Sequence, residues 1–206
     1  MTDYSAAVAH LRRADPVLAK IIAQYGPCSL KLDRRYFRLL VEAILSQQLS
    51  TKAAATITAR LYDLLRRQIV PATILGLRDT EFRSAGVSRQ KTAYLRDLAM
   101  KWQAGAINPR RFARLPDEQV IAMLTQVKGI GRWTAEMFLM FALGRSDVLP
   151  VGDLGFRNAL KNAYGLRKLP AARRVHALAE KWRPYRSIAT WYLWASLDNE
   201  PLADID

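Results

Sequence analysis

Between Leu124 and Ala135 two glycines bracket one apolar residue, Gly129-Ile130-Gly131, with Lys128 before them and Arg132 after. Glycine admits positive φ and leaves no Cβ in the way of a close approach. A helix starting near Arg132, with Thr134 in its first turn, would offer free N–H groups and a positive dipole end, which suit a phosphate oxygen. Ile130 would pack back between the flanking helices and stiffen the turn. Asp153 follows Pro150-Val151-Gly152 and precedes an apolar helical run of Leu154, Phe156 and Leu160. On those residues alone it reads as a helix N-cap. Capping and chemistry are compatible, because the dipole and the N–H donors favour the anion, and a fixed anion stabilises positive charge developing nearby. Trp133, Trp191, Tyr192 and Trp194 offer flat π faces. Against a cationic ring such a face contributes about 0.5–2 kcal/mol.

The elements that must hold these groups are helical throughout, with no convincing strand alternation. Ala7, Leu11, Val17, Leu18 and Ile21-Ile22 give one or two opening helices, broken at Gly26-Pro27. Asp33 is placed to cap a helix carrying Leu40, Ile44 and Leu45. After the polar corner Gln47-Gln48, Ser50 or Thr51 starts the next, with Ile57, Leu61 and Leu65 on one face. Pro71 opens a short helix, and Ser88 precedes an amphipathic run through Trp102. Asn108-Pro109 is a turn signal. Pro116-Asp117-Glu118 starts a helix expected to stop at Gly129, and another runs from about Arg132 to Leu143. Further helices are expected near 154–164, 171–182 and 187–197. The class is all-α, with roughly ten helices.

The formal charge of +14 is spread along the whole chain. Such an excess attracts polyanions, and nucleic acid is the first candidate. The single Cys28 forms no internal disulfide and supplies no cysteine-rich metal or iron–sulfur site. It reads as a small buried hydrophobe. His10 and His176 fall in no ligand spacing and read as surface or packing residues. No metal held by side chains and no cofactor is expected. No apolar run approaches a membrane span, and the first residues lack a secretory pattern, so the expected compartment is the cytoplasm, with the nucleoid in a bacterium.

The whole frame Leu-x-x-Val-x-Gly-Ile-Gly-x-x-Thr-Ala, Leu124 to Ala135, closely resembles the hairpin of the helix–hairpin–helix (HhH-GPD) DNA glycosylase superfamily. Val148-Leu149-Pro150-Val151-Gly152-Asp153 is similar to that family's glycine- and proline-rich loop, and Asp153 matches its catalytic aspartate. Ala14-Asp15-Pro16-Val17-Leu18-Ala19, Ile44-Leu45-Ser46-Gln47-Gln48-Leu49-Ser50 and Ala179 to Ser187 carry the likeness over nearly the whole chain. The resemblance is to the alkylpurine branch, the bacterial 3-methyladenine glycosylase II type, without its extra N-terminal α/β domain.

The resemblance implies a monomeric, monofunctional enzyme that binds damaged double-stranded DNA. It would flip an alkylated purine out of the stack and hydrolyse its N-glycosidic bond, leaving an abasic site. Members that also cut the backbone carry a lysine two residues after the second glycine, and Trp133 stands there. Trp133 and Trp194 match pocket tryptophans, and Met137 replaces an aromatic found in some relatives. Gly129, Ile130, Gly131, Lys128, Arg132 and Thr134 would meet the DNA backbone. Gln48, with Leu49 beside it, would enter the gap left by the flipped nucleotide. The implied architecture is two helical lobes with a cleft between them, 35–141 with the hairpin and 1–34 plus 142–206 as the other. Two other readings stay open: a glycosylase for deaminated or mismatched bases, and a non-enzymatic helix–hairpin–helix DNA-binding module.

Overall fold

The structure is a computed structural model in which residues 3–197 are described. The ends of the expected second lobe, 1–2 and 198–206, lie outside the described residues. Thirteen α-helices and one 3-10 helix are present among them, and no strand. The all-α class follows from the periodicity. The helix count is higher than expected because the short α6 (Asp79–Ser84) and α8 (Pro109–Phe112) carry too few turns to show a period. Asn108-Pro109, read as a turn, opens α8, with the Asn108 side chain accepting from Arg110 N. No helix among the described residues is long and apolar enough to cross a membrane.

The chain divides into two compact units, one spanning Asp33–Leu143 and the other joining the chain up to Leu32 with the chain from Gly144 on. The first contains α3 (Tyr36–Ser46), α4 (Thr51–Leu64), α5 (Pro71–Gly76), α6, α7 (Arg89–Gln103), α8, α9 (Asp117–Leu124) and α10 (Arg132–Phe141). Ser50 and Ser88 cap α4 and α7, their hydroxyls accepting from Ala53 N and Lys91 N. Leu40, Ile44, Leu61, Phe82, Leu95, Leu98 and Leu139 are fully buried, and Phe112 and Phe138 meet edge to face over Tyr36.

Two boundaries differ from expectation. Asp33 does not cap α3: its carboxylate accepts from Arg35 N at 2.8 Å and from the Arg35 guanidinium, so the helix begins beyond its reach, at Tyr36. Helix α9 stops at Leu124 instead of running to Gly129. Tight turns follow, with Val127 N donating to Leu124 O and Ile130 N to Val127 O.

The second unit holds α1 (Ser5–Ala14), α2 (Pro16–Tyr25), α11 (Leu154–Ala163), α12 (Ala172–Ala179), the 3-10 turn Glu180–Trp182 and α13 (Arg186–Ala195). Leu11, Leu18, Ile22, Phe156, Leu160, Trp182, Tyr192 and Leu193 form its core. Cys28 packs against this core half-buried, and burial pushes its thiol up to about 11. His10 meets Tyr185 edge to face, and His176 lies exposed on α12.

Candidate active site

The hairpin is built on unequal glycines. Gly129 has φ +83, and a Cβ there would lie 2.1 Å from the Tyr94 ring. Gly131 has φ −91 and would meet nothing within 4 Å. Only Gly129 uses the positive φ that glycine admits. Among the described residues nothing requires Gly131 to lack a side chain. Its position as the N-cap of α10 leaves room there for an outside group. Ile130 is buried as expected.

Lys128 keeps an exposed side chain while its N–H donates to Asp97 Oδ2 at 2.8 Å. Arg132 is engaged with carboxylates, Glu118 at the start of α9 and Glu136 one turn ahead, the latter at 3.0 Å. The Glu136 pair follows from four-residue spacing along α10, whereas the Glu118 pair depends on the hairpin bringing α9 to it. The hydrogen bond from Arg132 holds Glu118 below the usual carboxylate range. The Thr134 side chain is buried, so the first turn of α10 presents backbone there rather than a hydroxyl.

The corner between α3 and α4 sits against this hairpin. Gln47 Nε2 donates to Gly129 O at 2.7 Å. Gln48 has φ +57 and is exposed, as is Leu49. Lys91 Nζ, from the first turn of α7, donates to Leu45 O at 2.6 Å and Gln47 O at 2.8 Å. Sequence reasoning missed Lys91, since one lysine in an amphipathic run carries no signal of what it will reach. A groove of about 880 Å³ on this unit is lined by Gln48, Leu49, Trp133, Thr134 and Met137, with Tyr62 further along. Five expected site residues therefore share one groove. Trp133 is 49 % exposed, a large apolar face left at the surface.

In the second unit Asp153 is the N-cap of α11, and its Oδ1 accepts from Phe156 N. The same oxygen accepts from Trp194 Nε1 at 3.0 Å. Gly155 permits this pairing, because a Cβ there would stand 3.2 Å from Asp153 Oδ1 and 3.7 Å from Trp194 Nε1. The strand of loop leading to Asp153 is tied to the start of α13, the helix that carries Trp194. Buried Ser187 donates from N to Ser146 O at 2.9 Å and from Oγ to Arg145 O at 2.6 Å, and accepts from Val148 N at 2.9 Å. Asp147 accepts from both Arg183 and Arg186. Sequence reading missed Ser187 and Asp147 as well. The arrangement fixes an anion by two N–H donors at a helix N-terminus, suited to facing a cationic centre. Among the described residues no three His, Cys, Asp or Glu gather as a metal site.

Residues 41–184 match the model of the HhH-GPD superfamily, base excision DNA repair proteins. DNA-3-methyladenine glycosylase 1 of Schizosaccharomyces pombe is 38% identical over 181 residues, 86% of this chain and 79% of that protein. The putative DNA-3-methyladenine glycosylase YfjP of Bacillus subtilis is 30% identical, over 88% of this chain and 66% of its own length. Among solved structures, the S. pombe 3-methyladenine DNA glycosylase Mag1 in complex with abasic DNA superposes with a TM-score of 0.83 at 32% identity, covering 97% of this chain and 100% of that one. A DNA-3-methyladenine glycosidase from Bacillus halodurans gives 0.86 at 34% identity, over 95% and 90%.

Proposed function

The chain belongs to the HhH-GPD superfamily of base excision DNA repair proteins, and on that premise we propose that it grips duplex DNA by its hairpin and excises alkylated purines with Asp153. It is a monofunctional DNA N-glycosylase of base excision repair. The observation that carries the site assignment is the Asp153 carboxylate, held by a helix N–H and by the Trp194 indole yet only half-buried, so that the fixed anion can be reached.

The backbone N–H groups at Gly131 and the start of α10 bind a phosphate, with Lys128 adding charge. The Gln48–Leu49 tip fills the stack as the damaged nucleotide leaves it. The flipped base stacks on Trp133, with Met137 alongside in the same groove, and a base alkylated at N3 or N7 gains from its positive charge there. The bond from C1′ to the base nitrogen breaks, and the electron pair leaves with the base, which departs neutral. Positive charge on the sugar faces Asp153, and water forms the new bond at C1′ and loses its proton to the carboxylate or to solvent. No cofactor enters the step. Trp133 in place of a lysine amine removes the Schiff-base route to strand cleavage. The reading places the protein in the cytoplasm, with the nucleoid in a bacterium, as a monomer.

The test incubates the purified protein with methylated duplex DNA and with duplexes carrying single defined lesions. Free 3-methyladenine or 7-methylguanine should appear, with strands breaking only after alkali. Release confined to deaminated bases would move the substrate class. Binding without release from any duplex would reduce the protein to a DNA-binding module.

A further inference from the structure

One face of α7 touches both loops assigned above to DNA. Lys91 bonds the corner, Tyr94 lies under Gly129, and Asp97 receives the Lys128 N–H. Residues three apart on a helix share a face, so these three form a continuous strip. Gln90 Nε2 donates to Tyr94 Oη at 2.6 Å and fixes that ring from one turn earlier.

Lys91 sits where α3 ends, and the last carbonyls of a helix lack internal partners. Its ammonium satisfies one of them, Leu45 O, together with the carbonyl of the C-cap Gln47, and complements the negative end of the α3 dipole. Desolvation moves the Lys91 ammonium below its ordinary value, consistent with its recruitment to this partly buried place. Gln48, the residue after Gln47, is held at φ +57, a left-handed conformation that is unfavourable for a non-glycine residue and persists only where surroundings impose it. Gln47 then bonds Gly129 O, making corner and hairpin one body.

We propose that Lys91 is a positioning residue for base extrusion, holding the Gln48–Leu49 tip in register with the phosphate-gripping hairpin through the Lys91–Tyr94–Asp97 face of α7. Phosphate capture then also places the tip, before any base leaves the stack. Lys91 touches neither sugar nor base. Its effect is confined to the step in which the tip competes with the stacked base, and that step is bypassed where the lesion is already unstacked.

This inference rests on the glycosylase reading, and the experiment separates the two. Single-turnover excision of 7-methylguanine is measured for wild type and Lys91→Met in a fully paired duplex and in the same strand with the lesion in a bulge. The variant should lose about tenfold or more on the paired substrate, the scale of a charge-assisted contact. On the bulged substrate it should stay within about twofold, and binding to undamaged duplex should be likewise unchanged. Equal loss on both substrates, or none on either, overturns the proposal. Wild type releasing no base from either substrate overturns the glycosylase reading, and this inference with it. If circular dichroism shows Lys91→Met unfolded, Gln47→Leu cuts the same strut at its other end. It must show the same split between paired and bulged lesions, and an equal loss overturns the proposal.

Discussion

Two aspartates in the unit that joins the chain up to Leu32 with the chain from Gly144 on share one local design. Asp15 caps α2, accepting from Val17 N at 2.9 Å, and its Oδ2 accepts from Trp182 Nε1 at 2.8 Å. Asp153 caps α11 and accepts from Trp194 Nε1 at 3.0 Å. Each is thus a helix cap bonded to an indole. Asp15, however, is 0% exposed and is closed over by the Tyr164 hydroxyl and by Lys181 Nζ at 3.0 Å. Asp153 is half-buried, with a glycine beside it. A cap with an indole donor is therefore not a catalytic signature by itself. What separates the two is whether a substrate can reach the anion.

The largest expected effect breaks that comparison on the open side. Asn is as good an N-cap as Asp, so Asp153→Asn should leave the melting temperature within a few degrees of wild type. It removes the charge proposed to face the sugar. Single-turnover excision should fall by about 10²–10³-fold, the scale of losing one preorganised electrostatic partner, while affinity for damaged duplex is kept. Wild-type rates in this variant would sink the assignment of Asp153.

The closed side should answer in stability instead. Burial pushes the Asp15 carboxyl up, but hydrogen bonds from Tyr164, Trp182 and Lys181 outweigh it and leave it below the ordinary value. Asp15→Asn strips an anion from donors that remain buried, at a cost of about 3 kcal/mol. For a chain of this size that is roughly 6–12 °C in Tm. Because the folded value is depressed, the contribution is present in full above the unfolded value of about 3.9 and is lost as pH falls through the folded one. The stability gap between wild type and Asp15→Asn, followed by denaturant titration, should be constant above about pH 5 and narrow progressively as pH falls below about pH 4. A gap unchanged from about pH 5 down to about pH 2 would show that packing, not charge, holds Asp15.

This pairing also shows what the sequence makes legible. Asp153 stands out because a glycine-bracketed hairpin precedes it, and Gly129-Ile130-Gly131 is local enough to read directly. Ala14-Asp15-Pro16 belongs to the resemblance, yet nothing near it names Tyr164, Trp182 or Lys181 as partners. Those contacts span most of the chain. The same limit hides Lys91 and Ser187, whose bonds join residues about forty apart. Arg132 was readable as a cation but not as one committed to Glu118, which depends on where the hairpin brings α9. Helical periodicity reads long elements well and four- or six-residue ones poorly, which is why α6 and α8 went unseen.

The smallest expected effect sharpens the comparison by changing only the indole. Trp194→Phe keeps an aromatic face for stacking and deletes the Nε1–H that reaches Asp153. The carboxylate retains its cap to Phe156, so the anion stays while its orientation loosens. Excision should fall by about tenfold, one charge-assisted hydrogen bond's worth, with little change in Tm because the side chain is only part-buried. Trp182→Phe makes the same chemical change beside Asp15, but at a fully buried site. It removes the donor and leaves a cavity, lowering stability by about 2–4 kcal/mol without a matching loss of rate at a temperature where the variant is folded. If both variants lost rate alike, or both lost only stability, access would not separate the two aspartates and the comparison would fail.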